Sequence, residues 1–429
     1  MKHGRNNEIK SSLKRVLIVA INARPIASSV RSLGWNAGIV DFFGDPEIKQ
    51  LGSWVFSVIH QKPGGVLRRK MWRLKADYFM KLAEIMIEEV GGFDFALLGS
   101  GLDDYPDYWK ALGNRVKILG NNKETIVKVR NRSFLYKTAQ KHGISAPKHE
   151  MVSVVDEVPE VCGSVGYPCV VRREGGSGGV NVFLMKSKGE VERVKNKLEK
   201  DSSEGKIIVM ELVKGRHSSA SVLGTSADCI CLSINEQLIG IDSLGSPGPF
   251  TYCGNIVPLK LGEKKVLENL REVFSSLGKA LGLVGSNGFD FVLRNNEEPV
   301  ILECNPRLQG SLEPFEIATN ENMVMLHVLA CEGELPKEIP SAEKFAIKTI
   351  VFSTKSGIVP NIKAMEKNNK LYNLRIFDVL LQGLFIEKND PICTLLNSSK
   401  NRENILKTTL KKASEIQKSF KAYKTPYKL

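Results

Sequence analysis

The sequence predicts a multidomain chain, α/β at its N-terminus and α+β beyond, and three observations carry that prediction. Apolar strand-like runs alternate with helix-like segments through the first 120 residues, the signature of a parallel sheet. A glycine-rich loop, REGGSGGV at 173–180, sits between two apolar runs. From residue 218 short apolar runs follow one another as in an antiparallel meander, and two more, GSNGFDFVLR and EEPVILECN, flank the polar turn NNEE.

The elements follow in order. RVLIVA, at 15–20, is a branched apolar run that predicts a buried strand. PIASSVRSLG predicts a helix with Pro25 in its first turn and Gly34 as its stop. NAGIVDFF, FDFALLGSG and RVKILGN predict further strands, with a helix over about 75–90 between the halves. The turn after the first strand is INARP, without GxGxxG, so a dinucleotide fingerprint is absent there. Residues 121–142 predict one long basic helix stopped by Gly143, with Pro147 beyond. YPCVVRREGGSGGVNVFLM predicts strand, glycine loop and strand; Val191, Val194 and Leu198 recur at helical spacing, and KIIVMELVKG is a strand and connector. SSASVLG, ADCICLS and QLIGI predict the meander, 264–281 an amphipathic helix, and about 320–332 another helix. The stretch around Pro336 to Pro340 is loop-like in composition. Beyond it lie more strands, an NDP turn, and a C-terminal helix whose Ile405, Leu406, Leu410, Ala413, Ile416 and Phe420 form one apolar face.

Composition narrows the function classes. A chain of 429 residues, 42% hydrophobic and 25% charged, has the make-up of a globular protein with a substantial core. No apolar run approaches the roughly 20 residues of a membrane span, and MKHGRNNEIKSSLKR lacks an apolar signal stretch, so a cytoplasmic location is expected. The eight cysteines form no CxxC pair, and the six histidines do not cluster with them, which speaks against a zinc site or a disulfide framework. The net charge of +14 invites a nucleic-acid reading, but acidic residues interleave with the basic ones. A solvated surface together with a site for phosphates and carboxylates explains the charge as well.

Two stretches carry chemistry. In the glycine loop, Gly175, Gly176, Gly178 and Gly179 let backbone amides close around a phosphate, and Ser177 adds a hydroxyl. No GK[ST] follows, so it is not a Walker loop, and a mobile surface hairpin has the same composition. The second stretch is ILECNPRLQGSLEP at 301–314. If the NNEE turn pairs the two strands, Asp290 and Glu303 can face one side, with Asn305 and, if the chain stays extended, Arg307 on the same face. Two carboxylates and an amide oxygen are hard ligands suited to Mg²⁺. The alternative is a solvated face with a Glu303–Arg307 salt bridge, but the neighbouring PVIL looks buried, and burying unpartnered charge is costly.

In this order, the glycine hairpin, the meander and FDF…ILECNPRLQG resemble the ATP-grasp superfamily, and within it the biotin-carboxylase-related carboxylate–amine ligases. The likeness covers roughly 15–335 and is most specific around 286–310; a weaker one to the same group's C-terminal domain continues in GLFIEKNDPICTLL. The resemblance implies a basic tail (1–13), a preATP-grasp domain (14–120), a linker helix and entry to the lid (121–150), a lid (151–212), a large ATP-grasp subdomain (213–335) and a C-terminal mixed domain (336–429). It implies ATP between lid and large subdomain, with Asp290, Glu303 and Asn305 as magnesium ligands (Mn²⁺ an acceptable substitute) and Arg307 facing the substrate or the transferring phosphate. VMELV matches the adenine connector: Glu211 takes the acidic position, and the backbone of Leu212 and Val213 would reach the adenine edge. Two lysines common in the family are replaced here by Arg132 and Arg172, which keeps the charge and offers bidentate grips on phosphate. His217, where relatives often carry an acid, is a further candidate for the nucleotide site.

The reaction so implied makes an acyl phosphate from a small-molecule carboxylate and ATP, and an amine then displaces phosphate, with Glu303, Asn305 and Arg307 as the catalytic set. Bicarbonate as the acid, or a nucleotide- or nucleic-acid-binding module without turnover, are the alternatives; neither nucleic acid nor membrane is the expected partner, and a homodimer is a family expectation. For the substrate, the loops INARP, GSGLDDY and GSPGPFTYCGN nominate Asn22, Arg24, Ser100, Asp103, Tyr252 and Asn255, each of which could equally be a turn residue. Arg24 would suit an anionic substrate.

Overall fold

The computed structural model describes residues 13–67, 76–174, 178, 179, 181–199, 205–366 and 373–423, so the basic segment expected at 1–13 lies outside it apart from Leu13. The first unit is a four-stranded parallel sheet of β1 (Arg15–Ala20), β2 (Asn36–Asp41), β3 (Trp54–Ser57) and β4 (Phe95–Leu98), in the order β3-β2-β1-β4. The fully buried Val16, Leu17, Ile18 and Val19 explain why β1 is an unbroken apolar run: it is covered on both faces. Helices α1 (Arg24–Ser32), α2 (Ala76–Val90) and α3 (Pro106–Gly113) accompany it. RVKILGN, expected as a strand, contributes only an isolated bridge from Ile118 to Ala96 at the edge of β4.

The single long helix expected over 121–142 is two helices, α4 (Lys123–Arg130) and α5 (Arg132–Lys141). Asn131 between them is extended, at φ −72° and ψ 106°, and its side chain accepts from Phe134 N–H as an N-cap. A residue that can cap a new helix competes with continuing the old one. The stretch expected as the lid folds around an antiparallel sheet of β5 (His149–Val152), β6 (Cys169–Arg173), β7 (Phe183–Met185) and β8 (Ile207–Glu211), ordered β5-β8-β6-β7 and packed against α6 (Val158–Val165) and α7 (Val191–Glu199).

The largest element is an eight-stranded sheet, ordered β13-β12-β9-β10-β11-β14-β18-β16. Its first five strands are β9 (Arg216–Gly224), β10 (Cys229–Ile239), β11 (Tyr252–Val257), β12 (Gly285–Leu293) and β13 (Pro299–Asn305), backed by α8 (Lys264–Ala280). ADCICLS and QLIGI, expected as separate strands, form the single long β10. The 320–332 helix is preceded by another: α9 (Leu312–Thr319) and α10 (Met323–Cys331) pack on α1. Strands β14 (Phe345–Phe352), β16 (Arg375–Phe377) and β18 (Pro391–Ser399) extend the sheet, since β14 pairs with β11. A division at 335/336 therefore runs through one continuous sheet. β15 (Gly357–Ile358), β17 (Phe385–Ile386) and β19 (Lys421–Ala422) make a small separate sheet, and α11 (Arg402–Ser419) lays Ile405, Ala413 and Ile416 into the core. Among the described residues no helix is long and apolar enough to cross a membrane.

Candidate active site

Strands β12 and β13 are antiparallel, and Asp290 is the direct register partner of Glu303. Gly288 pairs with Asn305 two residues on, so alternation puts Asp290, Glu303 and Asn305 on one face. Asp290 accepts from Gln237 Nε2 on β10 (2.8 Å) and from Asn305 Nδ2 (3.1 Å). Burial, and then the nearby Glu303 charge, push the Asp290 carboxyl up to about 7.

Glu303 is placed differently. Arg132 Nη2 donates to its Oε2 at 3.0 Å, and Arg172 Nη1 reaches the same oxygen at 3.4 Å. Burial opposes its charge, but Arg172, Arg132 and Arg130 outweigh burial and hold its carboxyl below the ordinary value. The guanidiniums also crowd one another. Burial and then Arg132 lower Arg172 to about 10 despite Glu303. Arg132 is 3% exposed, donates through Nη1 to the Glu174 carbonyl, and keeps a buried Nε–H without a hydrogen-bond partner. Several guanidiniums on one carboxylate, with a buried donor unspent, make a site that accepts further negative charge.

Arg307 lies just beyond β13. Its Nη2 donates to Asn305 Oδ1 (3.4 Å), its Nη1 to the Leu308 carbonyl (3.2 Å), and its Nε is 3.2 Å from Asp103 Oδ1. The turn it occupies is clamped from the linker: Asn121 Nδ2 donates to the Pro306 carbonyl at 3.0 Å.

Two glycines of the loop, Gly178 and Gly179, meet the segment from Phe250 to Tyr252. Gly175, Gly176 and Ser177 lie outside the described residues, but Gly178 and Gly179 both have positive φ, 67° and 75°. Tyr252 N–H donates to the Gly178 carbonyl (3.3 Å), and a Cβ on Gly179 would lie 1.8 Å from the Phe250 carbonyl oxygen. Glycine is required there because two backbones touch. At the connector, Glu211 pairs with Arg294 at 3.3 Å, Leu212 N–H donates to the Pro168 carbonyl at 3.3 Å, and Val213 is half-buried beside them. His217, on β9 opposite Val292, is also half-buried, and burial lowers its pKa.

The expected substrate residues divide. Tyr252 donates to Asn255 Oδ1, and a Cβ on Gly310 would lie 2.5 Å from the Tyr252 hydroxyl, so both residues adjoin the Arg307 turn. Ser100 receives Ile21 N–H on its carbonyl at 3.0 Å, which is a turn role. Asn22 donates to Asp378 at 3.1 Å. Arg24 is not an open anion grip. It is buried between Glu313 and Asp378, with Nη2 2.8 Å from Glu313 Oε2, and its guanidinium stacks 4.7 Å from the Phe377 ring. Asp103 faces Arg307 and Arg130.

Sequence reasoning missed Arg130, Gln237, Glu313 and Asp378. The doublet Arg130–Asn131–Arg132 held a signal: an Asn between two arginines can cap a helix and send them to different partners, here Asp104 and Glu303. Gln237 held none, since its facing depends on the β10 register.

Residues 129–311 match the family model described as the ATP-grasp domain. The chain carries an ATP-grasp domain. Its boundaries span α5 and strands β5 to β13, and so take in Arg132, Arg172 and the Asp290–Glu303–Asn305 face. The chain is 24% identical to an uncharacterised protein of Methanocaldococcus jannaschii over 406 residues, 94% of this chain and 93% of that one. It is 26% identical to the carbamoyl phosphate synthase large chain of Pyrococcus furiosus over 202 residues, 46% of this chain and 18% of that much longer one. A crystal structure of biotin carboxylase from Campylobacter jejuni in complex with β,γ-ATP superposes with a TM-score of 0.71 at 14% identity, covering 95% of this chain and 96% of that one. The ATP-grasp domain thus sits in a chain whose whole fold, C-terminal strands included, has a solved counterpart.

Proposed function

We propose that the chain is an ATP-dependent ligase that activates a small-molecule carboxylate as an acyl phosphate and joins it to an amine. The observation that carries this reading is the pairing of Asp290 with Glu303 in a face where Arg132 and Arg172 converge on Glu303. The residues fit both ligands. Hard oxygen donors suit magnesium, and a buried unspent Arg132 N–H beside crowded guanidiniums suits a phosphate chain. Asp290, Glu303 and Asn305 would hold Mg²⁺, with Mn²⁺ a substitute. Bound there, the ion would supply neutralisation of the phosphate charge.

The chain's own groups do the rest. Arg132 and Arg172 bind phosphate oxygens and align the nucleotide, since phosphoryl transfer depends mainly on positioning and neutralised charge. Gly178 and Gly179 seat the lid against Phe250 and Tyr252, which shields the acyl phosphate from water. In the first step a substrate carboxylate oxygen bonds to the γ-phosphorus and the bond to the β-bridging oxygen breaks, releasing ADP. In the second the amine nitrogen bonds to the acyl carbon, the C–O bond to phosphate breaks, and the nitrogen loses a proton to solvent. Arg307 steadies the oxygens as charge develops in both. No protein nucleophile is required.

The test is ADP release by the full chain with paired candidate acids and amines. Turnover that requires both is expected in the wild type, and Glu303→Ala should lower it at least 100-fold. Amine-dependent turnover retained in that variant would sink the assignment. A second reading, bicarbonate as the acid, is favoured by the likeness to the biotin carboxylase domain of Hydrogenobacter thermophilus 2-oxoglutarate carboxylase, solved in complex with MgADP and bicarbonate. Bicarbonate-dependent ADP release without any organic acid would select it.

A further inference from the structure

Arg307 is the one guanidinium of the site that must face reacting oxygens without settling on the magnesium carboxylates. Its Nη2 donates to Asn305 Oδ1 at 3.4 Å, and Asn305 Nδ2 donates to Asp290 at 3.1 Å, so a single amide separates it from that carboxylate. What restrains it comes from another part of the chain. Asp103 stands in the loop after β4, at the carboxyl end of the parallel sheet, and is 2% exposed. Gly101 N–H donates to its Oδ1 at 3.2 Å, which fixes the carboxylate against its own loop. The same oxygen is 3.2 Å from Arg307 Nε. On the far side Arg130 Nη1 is 3.6 Å away, and Arg130 is itself tied to Asp104. Burial opposes the Asp103 charge, yet Arg307 and Arg130 hold its carboxyl at about 2, so it carries a full charge.

The contact from Arg307 Nε to Asp103 Oδ1 is close but falls outside hydrogen-bond geometry, and Nε is buried without a hydrogen-bond partner; the other oxygen, Oδ2, also lacks one and lies 3.6 Å from Arg130 Nη1. An ion pair whose donor is still unspent can tighten when ligands arrive, as catalytic contacts often do. The site is thus a chain of alternating charge. Arg172 and Arg132 flank Glu303, and Arg130 and Arg307 flank Asp103.

We propose that Asp103 is a positioning residue that holds Arg307 away from Asp290 and Glu303, keeping the magnesium face open and the Arg307 fork turned to the reacting oxygens. The inference rests on the ligase reading for the identity of those oxygens. With Asp103 neutralised, the carboxylate next along the Arg307–Asn305 contact is Asp290, and a guanidinium there competes with a divalent cation.

Mn²⁺ titration of the full chain with a non-hydrolysable ATP analogue, followed by the electron-spin signal of free Mn²⁺, tests it. Asp103→Asn should weaken Mn²⁺ binding about tenfold. In an Arg307→Gln background the same change should have no further effect, because no guanidinium remains to compete. Unchanged affinity in Asp103→Asn, or an equal loss in both backgrounds, would overturn the proposal, since a merely structural role acts in both. Should Asp103→Asn fail to fold, Asp103→Glu decides. It keeps the charge but moves it by a methylene, so Mn²⁺ affinity should hold within threefold while kcat falls at least tenfold at unchanged KM for ATP; unaltered kcat would count against positioning. If no acid and amine pair elicits ADP release from the wild type, the ligase reading fails, yet the Mn²⁺ titration still reads Asp103.

Discussion

At the scale of single residues, the site rests on what arginine can do and lysine cannot. Arg132 spans two acceptors at once, the Glu174 carbonyl and Glu303, through separate nitrogens of one rigid fork. Lysine offers one point charge. Arg132→Lys should therefore keep the fold but lower kcat/KM for ATP by about 10–100-fold, on the order of 1.4–2.7 kcal/mol. A variant as active as the wild type in steady-state kinetics would show that charge alone suffices. Much of this was legible before any coordinates. Alternation placed Asp290, Glu303 and Asn305 together because antiparallel pairing across a short polar turn leaves few registers. Arg24 was not legible as a buried pair, since its partners Glu313 and Asp378 are 289 and 354 residues away.

At the scale of elements, two breaks in regular structure organise the chemistry. Asn131 interrupts what composition presents as one basic helix and sends Arg130 and Arg132 to different carboxylates. Neither helix propensity nor charge reveals that break; the local cap does, and only when its competition with helix continuation is weighed. The second break is the lid tip. Gly179, at φ 75°, has no room for a Cβ beside the Phe250 carbonyl. Gly179→Ala should keep the lid from seating: kcat falls at least tenfold and ADP release becomes less dependent on the amine, because water reaches the acyl phosphate. Calorimetry should show Tm changed by no more than about 2 °C, since Gly179 meets backbone atoms of Phe250 and Thr251 and no buried side chain. A large Tm loss with kinetics intact would reverse that assignment.

At the scale of the molecule, one buried ion cluster ties three regions together. Arg24 follows the first strand of the parallel sheet, Glu313 opens α9 directly after the Arg307 turn, and Asp378 comes from the C-terminal strands. Lys348 on β14 also reaches Glu313, at 2.9 Å. Removing one partner strands a buried charge, so Asp378→Ala should cost about 3–5 kcal/mol in urea unfolding. The cluster also sets an acid limit. Burial disfavours the Asp378 charge, but Arg24 outweighs it and holds the carboxyl at about 2, and Glu313 is lowered by Arg24 and Lys348 against the same penalty. Depressed carboxyls stabilise the fold above their unfolded values near 4, so this contribution is present above about pH 4 and is lost as pH falls toward 2. For Asp378 it amounts to about 2 kcal/mol. Asp41, raised by burial to about 6, acts the other way, costing stability as pH rises from about 4 to 6. Urea midpoints measured from pH 6 to pH 3 should fall less steeply in Asp378→Ala than in the wild type; parallel slopes would remove the cluster from the acid response.

The sequence by itself determined the elements and the reactive face. Hydrophobic periodicity, glycine placement and strand alternation are local properties, and they write a parallel sheet, a glycine hairpin and the Asp290–Glu303–Asn305 row directly into the chain. Tertiary structure alone decided which charges are spent and which are free to act. Arg24 is neutralised within the fold, Arg132 retains a buried unspent donor, and Asp103 faces Arg307 from another sheet. The physical reason is that the consequence of a charge depends on its burial and on partners hundreds of residues away, and no local pattern records either.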